Sequence, residues 1–148
     1  YFVNQVRDDY DFIVIDTQPT RDSLLLSNAL FAADYVLIPA CCDDNSEESA
    51  FRLSSECINM QKSPNSHLKG AGVLLVNFDK NAATEKKIQG HYEEVLGSSL
   101  FSVVIPSSKT VKTSISLCQP VCYMAKTQPV AKAYVKAYEE LKKRLEVK

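Results

Sequence analysis

The sequence has few glycines, few histidines and no long apolar run. Only four glycines and two histidines stand among 148 residues, and the phosphate-binding pattern G-x-x-x-x-G-K-[ST] does not occur. No stretch of about 18 apolar residues is present, so these residues hold no transmembrane helix. The first residues, YFVNQVRDDYD, carry charge where a secretory signal peptide has an apolar core. We therefore expect a cytoplasmic protein.

The sequence also lacks an excess of either charge. Lys and Arg total 17 and Asp and Glu total 18, which gives a net charge of -1. This balance excludes a strongly basic nucleic-acid-binding arm, although not a local basic face. The hydrophobic share of 45% and the charged share of 24% are typical of globular proteins. The length fits one domain or a large part of one.

The cysteines and histidines form no recognisable metal or catalytic motif. The cysteine count is odd, which favours reduced thiols, and most of them are expected to be small buried hydrophobes; the five are Cys41, Cys42, Cys57, Cys118 and Cys122. Their spacing does not match a structural zinc site. No motif surrounds His67 or His91, so catalysis by a nucleophile and base is not predicted.

Apolar runs alternate with helical patterns along the chain. Continuous apolar runs predict buried parallel strands at 12–15, 35–38, 72–76 and 101–105. Helical spacing separates them, and a final helix begins near Thr127. Residues 107–121 are expected to be irregular, with at most a short helical turn. The pattern predicts an α/β fold, a doubly wound and mostly parallel sheet.

Polar residues follow three of the four predicted strands. Asp16 closes the first, residues 77–79 follow the third and residues 106–108 follow the fourth. In parallel sheets the functional groups gather at the carboxyl ends of the strands. Four apolar residues followed by Asp is the shape of a Walker B element, whose carboxylate holds Mg²⁺, usually through water. An Asp that simply caps the turn after a strand is the alternative interpretation.

The stretch from Tyr10 to Pro39 reads YDFIVIDTQPTRDSLLLSNALFAADYVLIP. It resembles the ParA/MinD family of deviant-Walker P-loop ATPases, and most closely the ParA (Soj-like) branch. In that branch Tyr-Asp, an apolar strand, Asp-x-x-Pro, Asn-Ala-Leu, Ala-Ala-Asp and Val-Leu-Ile-Pro follow in the same order. The likeness continues through Asn77-Phe78-Asp79, Ile105-Pro106 and Gln119-Pro120 to the terminal helix, so it covers nearly all of the chain.

The resemblance implies ATP binding and hydrolysis coupled to homodimer formation, used to partition plasmid or chromosomal DNA. A DNA-bound adaptor protein and nonspecific DNA would be the partners, and ATP with Mg²⁺ the cofactors. It implies that Asp16 is the catalytic Walker B acid near a water-linked Mg²⁺. Thr17 to Thr20 would form a switch-like loop that senses the γ-phosphate. Asn77, Pro106 and Ser107 would lie near the adenine, although an ordinary strand-end turn is an equal alternative for Asn77.

The sequence departs from this family at its central feature. The family's glycine-rich loop with two lysines precedes the Walker B strand, and none of these 148 residues forms it. The chain does not begin with Met and reaches its first predicted strand at once. We therefore expect residues 1–148 to be the C-terminal portion of a single ParA-like domain. Its sheet would be incomplete on the N-terminal side, with unpaired edges, and it would show no useful ATP turnover alone.

Other features bear on the partners. In the family, basic residues on the dimer surface contact DNA phosphates; Lys109, Lys112, Lys126, Lys132 and Lys136 are the candidates here. A solvated lysine face is the alternative. Cys118 stands where the family has a glycine before Gln-Pro.

Three alternatives to a partitioning ATPase stay open. The first is an interaction or dimerisation module of the same fold that binds no nucleotide. The second is a MinD-like, membrane-associated positioning ATPase, although the mixed charges of the last helix favour packing on its own sheet. The third is an iron–sulfur carrier ATPase, which would need a converging cysteine pair.

Overall fold

A computed structural model describes residues 2–18, 24–62 and 65–145. The strands are β1 (Tyr35–Ala40) and β2 (Lys69–Leu75). The helices are α1 (Phe2–Val6), α2 (Leu24–Ala32), α3 (Asp44–Gln61), α4 (Ala83–Leu96), α5 (Lys109–Ser116), α6 (Val121–Met124) and α7 (Pro129–Arg144), with short 3₁₀ turns at Arg7–Asp9 and Gly97–Ser99.

The two strands form a parallel sheet. Their register runs from Tyr35 opposite Lys69 to Ala40 opposite Leu75. Residues 100–106 run alongside β2 on its other edge, where the N–H groups of Phe101 and Ile105 donate to carbonyls of β2, each at 2.9 Å. Helix α3 makes the crossover between the strands and α4 leads from β2 to the third segment, as in βαβ units. The predicted α/β class with a parallel sheet is therefore confirmed.

Hydrophobic clusters cover both faces of the sheet. On one face, Val73 and Leu75 of β2 pack with Ala50 of α3 and Tyr92 of α4. On the other face, Leu74 packs with side chains of the last helices, including Val121, Val130 and Ala137. Because successive side chains of a strand point to opposite faces, this burial explains the continuous apolar run in β2. Helices on both faces confirm the doubly wound arrangement.

The first predicted strand is wrong for this structure. Residues 12–15 form no strand, and their side chains are exposed by 52%, 39%, 89% and 41% in chain order. A strand needs a neighbour for its backbone hydrogen bonds and cover for both faces. The described residues offer this run neither, since β1 pairs only with β2. The sheet of two regular strands agrees with the expected incomplete fold.

The C-terminal third also differs from expectation. Residues 101–105 lie in the predicted place but not as a regular strand, because a bend at Ser102 interrupts them. The carboxylate of Glu140 accepts hydrogen bonds from the Ser102 N–H and O–H. Residues 107–121, predicted to be irregular, contain the two-turn helix α5. Its N-terminus is capped by the Ser108 hydroxyl, which accepts from the Thr110 N–H at 3.2 Å.

Arg144 fastens the end of α7 to the sheet. Its guanidinium donates to the carbonyls of Ala71 (3.1 Å) and Leu100 (2.7 Å), pairs with Glu140 at 2.8 Å and stacks on the Phe101 ring. The chain passes close below it at Gly72, where φ is +122° and a Cβ would collide with the Ser99 carbonyl oxygen and the guanidinium. Glycine is therefore required at this position.

A buried amide fixes the end of α2. The Nδ2 group of Asn65 donates to the carbonyls of Leu30 (2.9 Å), Phe31 (3.2 Å) and Ala33 (3.0 Å). These are carbonyls that the last turn of a helix leaves without a partner. Asn65 thus links the loop before β2 to the helix that precedes β1.

Candidate functional site

Two loops meet at the carboxyl edge of the sheet, beside the joined ends of its strands. The Val76 N–H donates to the Ala40 carbonyl at 2.9 Å, which joins the ends of the two strands. Phe78 donates to the Ile105 carbonyl at 3.0 Å and accepts from the Ser107 N–H at 2.8 Å. The loop after β2 and the turn at residues 106–108 are therefore hydrogen-bonded to each other. We call these two segments, 77–79 and 106–108, the edge loops.

The edge loops bring three of the predicted site residues together. Phe78 and Pro106 pair as an isolated parallel β-bridge, and Asn77 and Ser107 are their neighbours along the chain. Asn77 is exposed and has a φ of 56°, in the left-handed region that Asn tolerates better than most residues. Ser107 is exposed and Pro106 half-buried. The arrangement presents a side-chain amide, a hydroxyl and an apolar ring around one bridge.

The predicted acid and its neighbour lie elsewhere. Asp16 and Thr17 are exposed and continue the unpaired run that follows α1. No hydrogen bond or ion pair joins either side chain to the edge loops within the described ranges. Pro19 and Thr20, which complete the predicted switch-like loop, lie outside the described residues. The structure therefore joins the adenine candidates but does not join Asp16 to them.

Acidic side chains surround the end of β1. Asp43 caps α3 by accepting from the Ser46 N–H at 2.9 Å and the Ser46 hydroxyl at 2.8 Å. Burial, together with Glu85 and other carboxylates nearby, raises the pKa of the Cys42 thiol to about 11. Burial likewise raises the pKa of Cys41. Both thiols are thus protonated and weakly nucleophilic at neutral pH.

The five cysteines agree only partly with the prediction that most of them are buried small hydrophobes. Cys42 and Cys57 are buried, Cys41 and Cys122 are half-buried, and Cys118 is exposed. Cys118 has a φ of 50°, which explains why the family's glycine suits this place. The described part of the chain holds no group of three or more His, Cys, Asp or Glu that could bind a metal ion.

The contact between His91 and Glu47 is not predicted by any pattern in the sequence. His91 Nδ1 lies 2.9 Å from Glu47 Oε1, so α3 and α4 are linked across 44 residues. Phe51 packs edge-on against the His91 ring, and the neighbouring Tyr92 hydroxyl donates to the Cys41 carbonyl at 3.4 Å. The helical pattern places His91 on a surface, but only the packing of α3 on α4 reveals its partner.

The candidate DNA-binding lysines form two exposed pairs. Lys109 and Lys112 lie three residues apart on α5, and Lys132 and Lys136 lie four apart on α7. Residues at these spacings share one side of a helix. Lys126 differs, because its ammonium lies 5.9 Å from the centre of the Tyr123 ring.

The last helix packs on the sheet, as its mixed charges predict. Val130, Ala131 and Ala137 of α7 are buried. Within the described ranges, no helix combines the length and the apolar character that a membrane crossing requires.

Comparisons with known proteins find similar sequences among chromosome-partitioning proteins. A family described as "AAA domain" matches residues 2–70. The chromosome partitioning protein ParA of Myxococcus xanthus is 29% identical over 136 residues, 92% of this chain and 48% of that protein. The chromosome-partitioning ATPase Soj of Thermus thermophilus is 26% identical over 142 residues, 95% of this chain and 57% of its own length.

A solved structure has the same fold. The cell division ATPase MinD of Pyrococcus furiosus matches with a TM-score of 0.75 at 19% identity, covering 95% of this chain and 55% of that one. The chain spans about half the length of the curated relatives it matches.

Proposed function

Because the chain belongs to the ParA/MinD type of P-loop ATPases, we propose that it is part of an ATPase that partitions plasmid or chromosomal DNA. The observation that carries this proposal is the pair of edge loops. Their hydrogen bonds hold Asn77, Pro106 and Ser107 at the carboxyl edge of a parallel sheet, the edge where such folds bind ligands.

The edge loops suit the adenine ring of ATP. The exposed amide of Asn77 has both a donor and an acceptor, which matches the edge of a base. Pro106 offers an apolar surface for the ring, and the exposed Ser107 adds a hydroxyl. None of the three carries charge, which fits a site for a neutral base rather than for phosphates.

The acid proposed for catalysis is Asp16. Its carboxylate and the Thr17 hydroxyl are oxygen ligands, the kind that Mg²⁺ prefers in proteins. When bound, Mg²⁺ would neutralise charge that develops on the phosphates. Asp16 would orient the ion through water, and Thr17 would respond to the γ-phosphate.

This role requires residues 12–15 to lie in a sheet. We propose that residues 1–148 are the C-terminal portion of a ParA-like domain and that a phosphate-loop segment completes it. The exposed apolar run at 12–15 supports this, as does the edge of β1 that has no neighbouring strand within the described residues. The completed domain would dimerise with ATP, and this chain alone would not turn ATP over.

A titration of the isolated chain tests the adenine site. With AMP, we expect the NMR signals of the Asn77 and Ser107 amides to shift, and Asn77→Ala to weaken binding several-fold. The matched control is Asn81→Ala, on the same connection but outside the edge loops. Shifts confined to other loops, or equal effects of the two variants, would refute the adenine assignment.

A chimaera tests the acid. This chain would replace the matching part of Myxococcus xanthus ParA, which supplies the rest of the domain. We expect ATP hydrolysis that Asp16→Asn reduces at least about 100-fold, since a residue that orients the metal is removed. Asp9→Asn is the control with the same charge change. Full activity of the Asp16 variant would exclude the catalytic role.

Nonspecific DNA and a DNA-bound adaptor would be the partners of the complete protein. The exposed pairs Lys109 with Lys112 and Lys132 with Lys136 would contact phosphates. If they do, the chimaera's affinity for DNA falls steeply with salt, and replacing one pair by Gln lowers the salt dependence by about two counterions. Binding that is insensitive to salt would exclude this surface.

A module that binds partners without nucleotide is the second candidate. The exposure of residues 12–15 favours it, because an apolar surface of this kind is typical of an interface. Absence of AMP binding, together with association through residues 12–15, would select this function.

A further inference from the structure

A groove lies between α4 and the segment that flanks β2. Its volume is about 240 Å³, and it is lined by Gln89 and Glu93 of α4 and by Leu100, Phe101, Ser102 and Val104. It shares no residue with the edge loops. Pockets for drug-sized molecules begin at roughly 300 Å³, so this groove suits a shorter piece of a ligand.

The backbone along this groove has an open edge. The N–H groups of Phe101 and Ile105 face β2 and donate to it. These two donors are four residues apart, whereas their acceptors Val73 and Leu75 are two apart, so the chain bulges away from β2 between them. Glu140 accepts from the Ser102 N–H. The Val104 N–H and C=O have no hydrogen-bond partner in the part of the chain that the structure describes.

The groove also has a charge. Glu93 is its one ionisable lining residue, and its carboxylate accepts from the Gln89 side chain at 2.9 Å. The neighbouring walls are the apolar side chains of Leu100, Phe101 and Val104. The unpaired peptide group of Val104, beside apolar walls and a carboxylate, is complementary to an extended chain with a basic side chain.

We infer that this groove binds an extended, basic peptide segment of a partner protein, which pairs with Val104 and places a Lys or Arg beside Glu93. A second copy of this chain fits less well. A two-fold interface would use the same patch on both copies and would bring two Glu93 carboxylates into it. The site is separate from the proposed nucleotide function and stands without it.

The experiment uses the whole chain and short peptides of alternating Val and Thr around a central Lys. NMR would follow the Val104 amide during titration with acetyl-Val-Thr-Lys-Thr-Val-amide. We expect this peptide to bind roughly two- to fivefold more tightly than its Glu counterpart, the range for an exposed ion pair. Glu93→Lys should reverse that preference. Glu94→Lys, an equal charge change outside the groove, should leave it as it was.

Peptides with N-methylated backbones test the strand pairing without altering the protein. Methylation on the side that faces Val104 should abolish the shift, whereas methylation of alternate residues should not. Three results would overturn the inference: no shift at Val104 with any peptide, equal effects of Glu93→Lys and Glu94→Lys, or shifts that depend on protein concentration without peptide. The last would identify a second copy as the occupant.

Discussion

Two apolar runs of similar composition have opposite fates in this molecule. Residues 73–75 of β2 are almost completely buried, whereas residues 12–15 are exposed. Strand β2 has β1 on one edge, the 100–106 segment on the other and helices on both faces. Residues 12–15 have none of these among the described residues. The comparison teaches that an apolar run in the sequence is buried only where neighbouring segments pair with it and cover it.

The largest effect is expected where the β2 side is packed most closely. Gly72→Ala adds a Cβ at positive φ against the Ser99 carbonyl oxygen and the Arg144 guanidinium. We expect a loss of about 3 kcal/mol in the free energy of unfolding. Gly70→Ala is the control, since it lies in the same strand with no atom near the new Cβ. Urea denaturation measures both, and equal stabilities would show that Gly72 is not constrained.

Arg144→Met tests the contacts that hold α7 on the same side. It leaves the carbonyls of Ala71 and Leu100 without this donor, and the carboxylate of Glu140 with Ser102 as its remaining donor. Hydrogen bonds that involve a charged group contribute about 2 kcal/mol, so we expect a loss of this size. Lys143→Met, one residue earlier and exposed, should change stability by less than about 0.5 kcal/mol. A similar loss in both variants would contradict this role for Arg144.

A matched pair of valines compares the two runs directly. Val73 is 1% exposed and Val14 is 89% exposed. Val73→Ala should cost about 2 kcal/mol through lost burial and the cavity left behind. Val14→Ala should stay within about 0.5 kcal/mol. If the Val14 variant is as destabilised as the Val73 variant, residues 12–15 are packed in solution and the comparison fails.

The smallest expected effect concerns how much stability the protein loses in acid. Partial burial acts to raise the pKa of Glu140, but hydrogen bonds from Ser102 and Arg144 prevail and lower it from the ordinary 4.5. Its contribution is therefore complete above that value and is lost as the pH falls through the lower folded pKa. The free energy of unfolding should fall between about pH 6 and pH 3. In the Glu140→Gln variant this fall should be smaller, by less than about 1 kcal/mol. Identical pH profiles of both proteins would exclude this contribution.

Much of the fold follows from patterns within the sequence. Strands β1 and β2 combine buried apolar runs with helical segments on either side, so both local propensity and tertiary packing favour them. Residues 12–15 show the same local pattern, but the neighbours that would pair with them are not determined by that pattern. Helix α5 is not predicted because its polar residues give no clear apolar helical pattern, although Ser108 before Lys109 is a capping signal.

The contacts of the candidate site also divide into those that the sequence predicts and those that depend on tertiary packing. Asn77 and Ser107 could be predicted to meet, because both follow parallel strands that end at one edge. The pairing of His91 with Glu47 depends on how α3 packs on α4, which spacing along the chain does not reveal. The role of Asp16 depends on partners beyond the described contacts and stays a prediction.

The buried amide of Asn65 makes one helix vulnerable to a change of a single functional group. A carboxylate has no hydrogen to donate, so hydrolysis of this side chain to Asp would set a negative oxygen against the three carbonyls that the amide now binds. Helix α2 would then lose the hydrogen bonds at its C-terminal end, whereas the hydrogen bonds of the sheet would be unchanged. Hydrolysis at this one amide would thus act first on the segment that leads into β1.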